Sequence, residues 1–187
     1  SGEEIAIYYA YGDIVQSEKV SLLGGGSHCI VGSTVCSDLK DLMDDDDVKA
    51  VVIRVNSGGG DAFASEQIWH QVMELKKKKP VVVSMGGYAA SGAYYMSAPA
   101  SWIVAQPTTL TGSIGIFAVF PDMSGLVTQK LGVKFDEVKT NRNSTFGNLM
   151  ARPFNEEETA VMQQYVNRGY QLFRKRVADG RRLPVES

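Results

Sequence analysis

No stretch of the sequence approaches the roughly 20 apolar residues of a membrane-spanning helix, and no charged-then-apolar leader opens it. The 187 residues are therefore expected to be soluble by themselves. Cysteine is scarce: Cys29 and Cys36 match neither a CxxC redox pair nor the paired clusters of a zinc site, so they fix neither compartment nor metal. An excess of one charge is lacking too. A net charge of -2 and a pI near 5.7 leave no basic footprint, and no nucleic-acid-binding motif occurs, which argues against a nucleic-acid partner. The cluster Gly24-Gly25-Gly26 has no following Lys-Ser or Lys-Thr, so it reads as a flexible loop rather than a phosphate cradle. The consecutive aspartates 44–47 cannot all turn towards one ion, and the alternating acids of a calcium loop are missing. Neither a cofactor nor a metal is expected.

What is present is enough chain for one substantial core and too little for two: 187 residues, 44% hydrophobic and 21% charged, predict a single domain over 1–187. The chain opens Ser1-Gly2 without methionine and stops at Ser187 just past a long helical pattern, so it reads as a fragment of a longer protein. Any anchor, targeting segment or partner domain would lie outside it.

Short Val- and Ile-rich runs alternate with helical spacing. Strands are expected at 5–11, 50–55, 81–85, 102–105, 114–120 and 133–138, giving an α/β fold with a parallel or mixed sheet. The runs at 50–53 and 81–83 are almost continuously apolar, which predicts strands covered by helices on both faces. Residues 64–78 place Ile68, Val72 and Leu75 at helical spacing, and Pro80 ends that helix. The lysines 76–79 then complement a helix C-terminus as a solvated face. A further helix is expected at 35–43, and a long one over 155–178 with Asn155 as N-cap and three glutamates in its first turn.

Small residues cluster at three places: Asn56-Ser57-Gly58-Gly59-Gly60-Asp61, Met85 through Gly92, and Thr111-Gly112-Ser113-Ile114-Gly115. Consecutive parallel strands send their carboxyl ends to one rim, so at least the first two clusters should meet there. Glycines after a strand let backbone N–H groups turn outward as an oxyanion hole, or serve only as a tight turn. Ser91, between Ala90 and Gly92 and before an apolar helical segment, suits a nucleophile with small neighbours, or a helix N-cap. Its base is not evident. His28 and His70 both precede Ser91, whereas an α/β-hydrolase places its histidine after the nucleophile, and Ala89 and Ala93 replace the glycines of that fold's elbow. A lysine is the other known partner for a serine nucleophile.

At these residues the sequence resembles the signal peptide peptidase A family of serine peptidases, relatives of ClpP with its crotonase-like superfold. The segment 53–60 is similar to the family's R-x-N-S-P-G-G run, 85–95 to M-G-x-x-A-A-S-G-G-Y-Y, and 111–115 to T-G-S-I-G; weaker similarity covers nearly the whole chain. The resemblance implies a ClpP/crotonase-like α/β fold with a mixed, mostly parallel sheet covered by helices. It implies Ser91 as nucleophile, Gly59, Gly60 and Gly92 as oxyanion donors, and Ser113 orienting a lysine amine. It also implies a Ser/Lys-dyad endopeptidase acting on leftover signal peptides and apolar segments, as a membrane-associated homo-oligomer of the cell envelope. Gly58 stands where the family has proline, and Ala93 where it has glycine. The loop after 133–138, where single-length members carry the lysine, has none over 140–146. The chain is more similar to the carboxyl-terminal, serine-bearing half of the tandem members, whose lysine lies in the amino-terminal half. The isolated fragment would then be inactive without that partner, and Lys134 and Lys139 are the in-chain fallbacks. Two competing readings are an acyl-CoA-processing crotonase-like enzyme and a non-catalytic scaffold that binds extended peptides.

Overall fold

The structure, a computed structural model, describes residues 2–17 and 28–186; the Gly24-Gly25-Gly26 loop lies outside the described residues. Two compact units result, one from Ser1–Gly115 with Leu172–Ser187 and one from Ile116–Gln171.

The first unit is built on parallel pairing. Strand β4 (Val48–Ser57) alternates from Ala50 onward, with Val51, Ile53 and Val55 all 0% exposed. It lies between β1 (Glu4–Tyr11) and β5 (Val81–Ala90), and β5 pairs onward with β6 (Trp102–Val104). Strand β7 (Leu110–Gly112) adds to the far end of β5. A separate two-stranded ladder joins β2 (Asp13–Val15) to β3 (Cys29–Val31), also parallel. Parallel neighbours need crossovers, and helices α1 (Gly32–Asp44), α2 (Ala62–Lys78) and α3 (Gly92–Ser97) supply or follow them. Val35 and Leu39 of α1, Ile68, Val72 and Leu75 of α2, and Ala93 and Met96 of α3 meet the inward residues of β4 and β5 in one core. Each fully buried Leu, Ile or Val there contributes about 1.5–3 kcal/mol.

Helix α2 begins where Asp61 Oδ1 accepts from the Ala64 N–H at 2.8 Å, and it ends before Pro80, with Lys79 extended as a residue preceding proline must be. The lysines at its end do more than face solvent. Lys76 donates to the Pro99 carbonyl at 2.7 Å, Lys78 pairs with Asp44 at 2.9 Å, and Lys79 donates to the Leu42 carbonyl at 2.6 Å, strapping the helix end to its neighbours.

Covering is one-sided, which corrects the expectation of helices on both faces. The outward row Ile7, Val52, Val82, Trp102 runs in register across four strands. Ile7 remains 58% and Trp102 67% exposed. The near-continuous apolar runs reflect this second, uncovered row.

The second unit holds a π-helical turn, Gly125–Lys130, and the aromatic contacts of Phe154 with Phe120 (5.3 Å) and Phe146 (5.4 Å). Helix α4 (Glu156–Arg181) starts here, with its residues from Leu172 onward belonging to the first unit. Asn155 caps it reciprocally: its Oδ1 accepts from the Glu158 N–H at 2.8 Å while its own N–H donates to Glu158 Oε2 at 2.9 Å. The strands expected at 114–120 and 133–138 do not form. Phe117 and Val138 sit in non-strand backbone, 84% and 95% exposed, because a β-ladder needs a neighbouring strand as well as the right residues.

Candidate active site

The path of β5 decides where Ser91 lies. Val55 pairs with Met85, but Ser57 pairs with Ala89, so β5 carries two residues more than β4 across this interval. The surplus falls at Gly86-Gly87, and the Asn56 side chain bridges it, its Oδ1 accepting from the Tyr88 N–H at 3.3 Å. Beyond the insertion β5 pairs with β7, Ala90 opposite Gly112, and the Ser91 N–H donates to the Gly112 carbonyl at 2.9 Å.

Ser91 itself has φ 53° and ψ -123°, a conformation that costs a non-glycine residue roughly 1–3 kcal/mol unless its surroundings impose it. It occupies the N-cap position of α3, yet its side chain makes no capping hydrogen bond. The N-cap reading of this serine is therefore not realised. Ser113 stands one residue past Gly112, also at positive φ (51°) and exposed, so the two serines follow a register pair at neighbouring strand ends.

The Gly59-Gly60 turn presses on the same place. A Cβ on Gly59, whose φ is +97°, would stand 2.6 Å from the Gly92 nitrogen and 2.9 Å from Ser91 Cβ, so only glycine fits. Gly60 bridges Ile14, with the Ile14 N–H donating to the Gly59 carbonyl at 3.0 Å and the Asp61 N–H to the Ile14 carbonyl at 2.9 Å. In that pattern Gly60's own N–H faces away from Ile14, towards α3. A Cβ on Gly92 would lie 3.3 Å from the Gly60 nitrogen and 2.4 Å from Ser65 Oγ.

The three glycines expected as donors differ in what their N–H groups do. The Gly59 N–H donates to the buried Ser57 Oγ at 3.0 Å. Those of Gly60 and Gly92 have no partner among the described residues. The structure thus gathers Ser91, Gly59, Gly60 and Gly92 and leaves two N–H groups available beside the serine. Two unpaired backbone donors converging near a hydroxyl can hold a developing oxyanion.

The candidate bases are placed as follows. His70 is exposed on α2 and His28 is exposed ahead of β3; neither is hydrogen-bonded to Ser91. In the second unit Lys139 pairs with Glu137 at 2.5 Å, and Lys134 lines a shallow groove with Phe135 and Arg152. The Lys139 ammonium in turn holds the Glu137 carboxyl below the usual carboxylate range. Among the described residues no group of three or more His, Cys, Asp and Glu side chains could hold a metal, and no helix is long and apolar enough to cross a membrane.

Sequence reasoning assigned no role to Asn56, Ser57 or Ile14, though the first two lie inside a quoted cluster. Ile14 carried no local signal, since its bridge to Gly60 spans the chain between β2 and α2.

A parallel sheet with one helical face, and a strained serine at a strand end beside a diglycine turn, define a ClpP-like α/β protein. A mutant form of ClpP1 from Listeria monocytogenes superposes with a TM-score of 0.56 over 97% of this chain and 75% of its own, at 15% identity, a likeness of fold alone. The chain belongs to peptidase family S49, whose family model matches residues 73–187; the Clp protease model matches residues 1–105. Ser91 lies where the two matches overlap. Among its relatives are Protease 4 of Salmonella typhi, 40% identical over 100% of this chain, and Protease 4 of Haemophilus influenzae, 39% identical over 96%. The chloroplastic serine protease SPPA of Arabidopsis thaliana is 33% identical over 98%. The chain spans 29%, 28% and 27% of the length of these three relatives.

Proposed function

We propose that this chain is the serine-bearing half of a longer serine endopeptidase of the cell envelope, a membrane-associated homo-oligomer that cleaves apolar peptides such as leftover signal peptides. The observation that carries the catalytic part is the Ser91 hydroxyl, uncommitted to its own helix and set beside the unpaired N–H groups of Gly60 and Gly92.

In this reading Ser91 Oγ attacks the peptide carbonyl carbon and its proton passes to a neutral lysine amine. The carbonyl oxygen becomes an oxyanion held by the Gly60 and Gly92 N–H groups. The C–N bond then breaks, the lysine returns the proton to the leaving amine, and water hydrolyses the acyl-serine by the same path. Gly59 serves the turn rather than the oxyanion, because its N–H is taken by Ser57. Ser113 orients the lysine, which comes from an amino-terminal half of the protein. That amine must be neutral at working pH, which requires burial or a neighbouring cation to lower its pKa. The names of the Protease 4 and SPPA relatives support the peptidase reading.

The test is intact-mass detection of a fluorophosphonate adduct on this chain and on one extended upstream, each with Ser91→Ala alongside. A single adduct in the extended chain, lost with Ser91→Ala, is expected. Labelling that survives Ser91→Ala rejects Ser91 as the nucleophile. Labelling of Ser91 in the short chain alone places the base within these residues, and Lys134 and Lys139 would be replaced next.

A further inference from the structure

Helix α3 has six residues, too few to hold its own shape without packing. Its first turn is the turn that presents Ser91, since the Tyr95 N–H donates to the Ser91 carbonyl at 2.9 Å. Two successive residues of α2 grip it. Ser65 Oγ fits against Gly92, and Glu66 accepts a hydrogen bond from the Tyr95 hydroxyl. Glu66 is held in turn from the other end of the sequence: Arg176 of α4 donates from Nη2 to Oε1 at 2.5 Å and from Nε to Oε2 at 3.3 Å. The Arg176 guanidinium lies 3.6 Å over the Trp69 ring, one turn along α2 from Glu66, and the Tyr95 ring meets Phe173 at 4.8 Å. All of these residues belong to one compact unit.

The Arg176 and Glu66 side chains are 23% and 31% exposed, so this two-point, charge-assisted pair is screened less than a surface ion pair. Without the arginine, Glu66 would be a half-buried carboxylate with only a phenol for company. It would turn to water and release Tyr95. Burial, then the Glu66 carboxylate, raises the Tyr95 phenol above its ordinary range, so it stays a neutral donor.

We propose that Arg176 is a positioning residue for Ser91, acting through Glu66 and Tyr95 on the first turn of α3. The inference rests on reading Ser91 as a nucleophile. The cluster fixes the orientation of α3, and with it the distance from Ser91 to the Gly60 N–H. A matched comparison exists elsewhere in the fold. The Tyr8 hydroxyl donates to Asp38 Oδ2 at 2.8 Å between β1 and α1, a similar half-buried phenol-carboxylate bond with no link to the Ser91 turn.

The experiment measures fluorophosphonate labelling rates and peptide kcat and KM in the upstream-extended chain. Tyr95→Phe keeps the ring on Phe173 and removes only the hydroxyl, Arg176→Gln removes the charge, Arg176→Lys restores it without the two-point grip, and Tyr8→Phe is the control. Labelling is expected to slow about 10-fold in Tyr95→Phe and about 100-fold in Arg176→Gln, with Arg176→Lys between, as sub-ångström misplacement of a reacting group predicts. The loss should fall on kcat with KM unchanged, and Tyr8→Phe should label at the unaltered rate. In the 187-residue chain carrying Trp102→Phe, fluorescence of the remaining Trp69 should shift when Arg176 leaves its ring. Unaltered rates in both Tyr95→Phe and Arg176→Gln would overturn the proposal, as would an equal loss in Tyr8→Phe, which would reduce the cluster to general stability. If Arg176→Gln does not fold, Tyr95→Phe decides. No labelling of the unaltered extended chain would overturn the nucleophile reading and this inference with it.

Discussion

Residues 48–97 and residues 116–155 are both rich in apolar side chains, yet they are ordered by different means. In the first, Val51, Ile53, Leu75 and Val83 are wholly buried in a core shared by strands and helices. In the second, Phe117, Val119 and Val138 are exposed, no strand forms, and the contacts are local: the Phe154 ring against Phe120 and Phe146, and Arg152 paired at 2.7 Å with Glu158 at the start of α4. Similar hydrophobic patterns thus give a strand only where another strand completes the ladder.

Substitutions can sharpen or break that contrast. The largest effect is expected from Gly59→Ala, whose Cβ would collide with the Gly92 nitrogen at 2.6 Å and strain a positive φ. Stability should fall by about 3 kcal/mol or more in urea melts, and Ser91 labelling should be lost. Leu39→Ala, at a wholly buried position, should cost about 2–5 kcal/mol. A loss below about 1 kcal/mol would mean that packing does not order the sheet unit as described.

Glu158 probes the other mechanism. Arg152, then the Asn155 N–H, lowers its carboxyl from an ordinary 4.5 to about 2. Its folded-state value lies below the unfolded one, so its stabilising contribution is full above the ordinary value and drains away as pH falls towards 2. An NMR titration of the carboxyl should show a midpoint near 2, and a midpoint near 4.5 would dissolve the pairing. The cap bonds that join Glu158 to Asn155 should weaken over the same range, while Glu158→Gln should remove that pH dependence. The smallest effect is expected from Val138→Ala, 95% exposed, within about 0.5 kcal/mol of the unaltered chain. A larger loss would reveal a partner surface for that residue.

The same contrast explains what could be read from the sequence. Strands β1, β4, β5 and β6 and helices α1, α2 and α4 were legible because each carries its own periodicity, cap or stop signal, as with Pro80 and Asn155. Strands β2, β3 and β7 were not: unlike the equally short β6, which falls within the apolar run at 102–105, they stand in no apolar run of four or more, and their pairing is decided by distant neighbours. The gathering of Ser91, Gly59, Gly60 and Gly92 followed from two clusters on consecutive parallel strands. What stayed hidden was the use of single atoms: the Gly59 N–H given to Ser57, and Arg176 reaching Glu66 across 110 positions of sequence. The expected strands at 114–120 and 133–138 failed for the reason that opened this comparison.

The two extra residues in β5 amount to a spacer whose parity matters. Side chains alternate along a strand, so removing one of Gly86 and Gly87 would turn Ala89 out of the core and swing Ser91 to the opposite side. Removing both would keep every face correct and would let β5 run straight on from Met85 with Ala89 still opposite Ser57, so the core and the place of Ser91 beside the Gly59-Gly60 turn would be kept. What the pair of glycines adds is the bulge itself, which turns the Tyr88 N–H onto the Asn56 side chain, and a chain shortened by both should stay well folded and lose that bond.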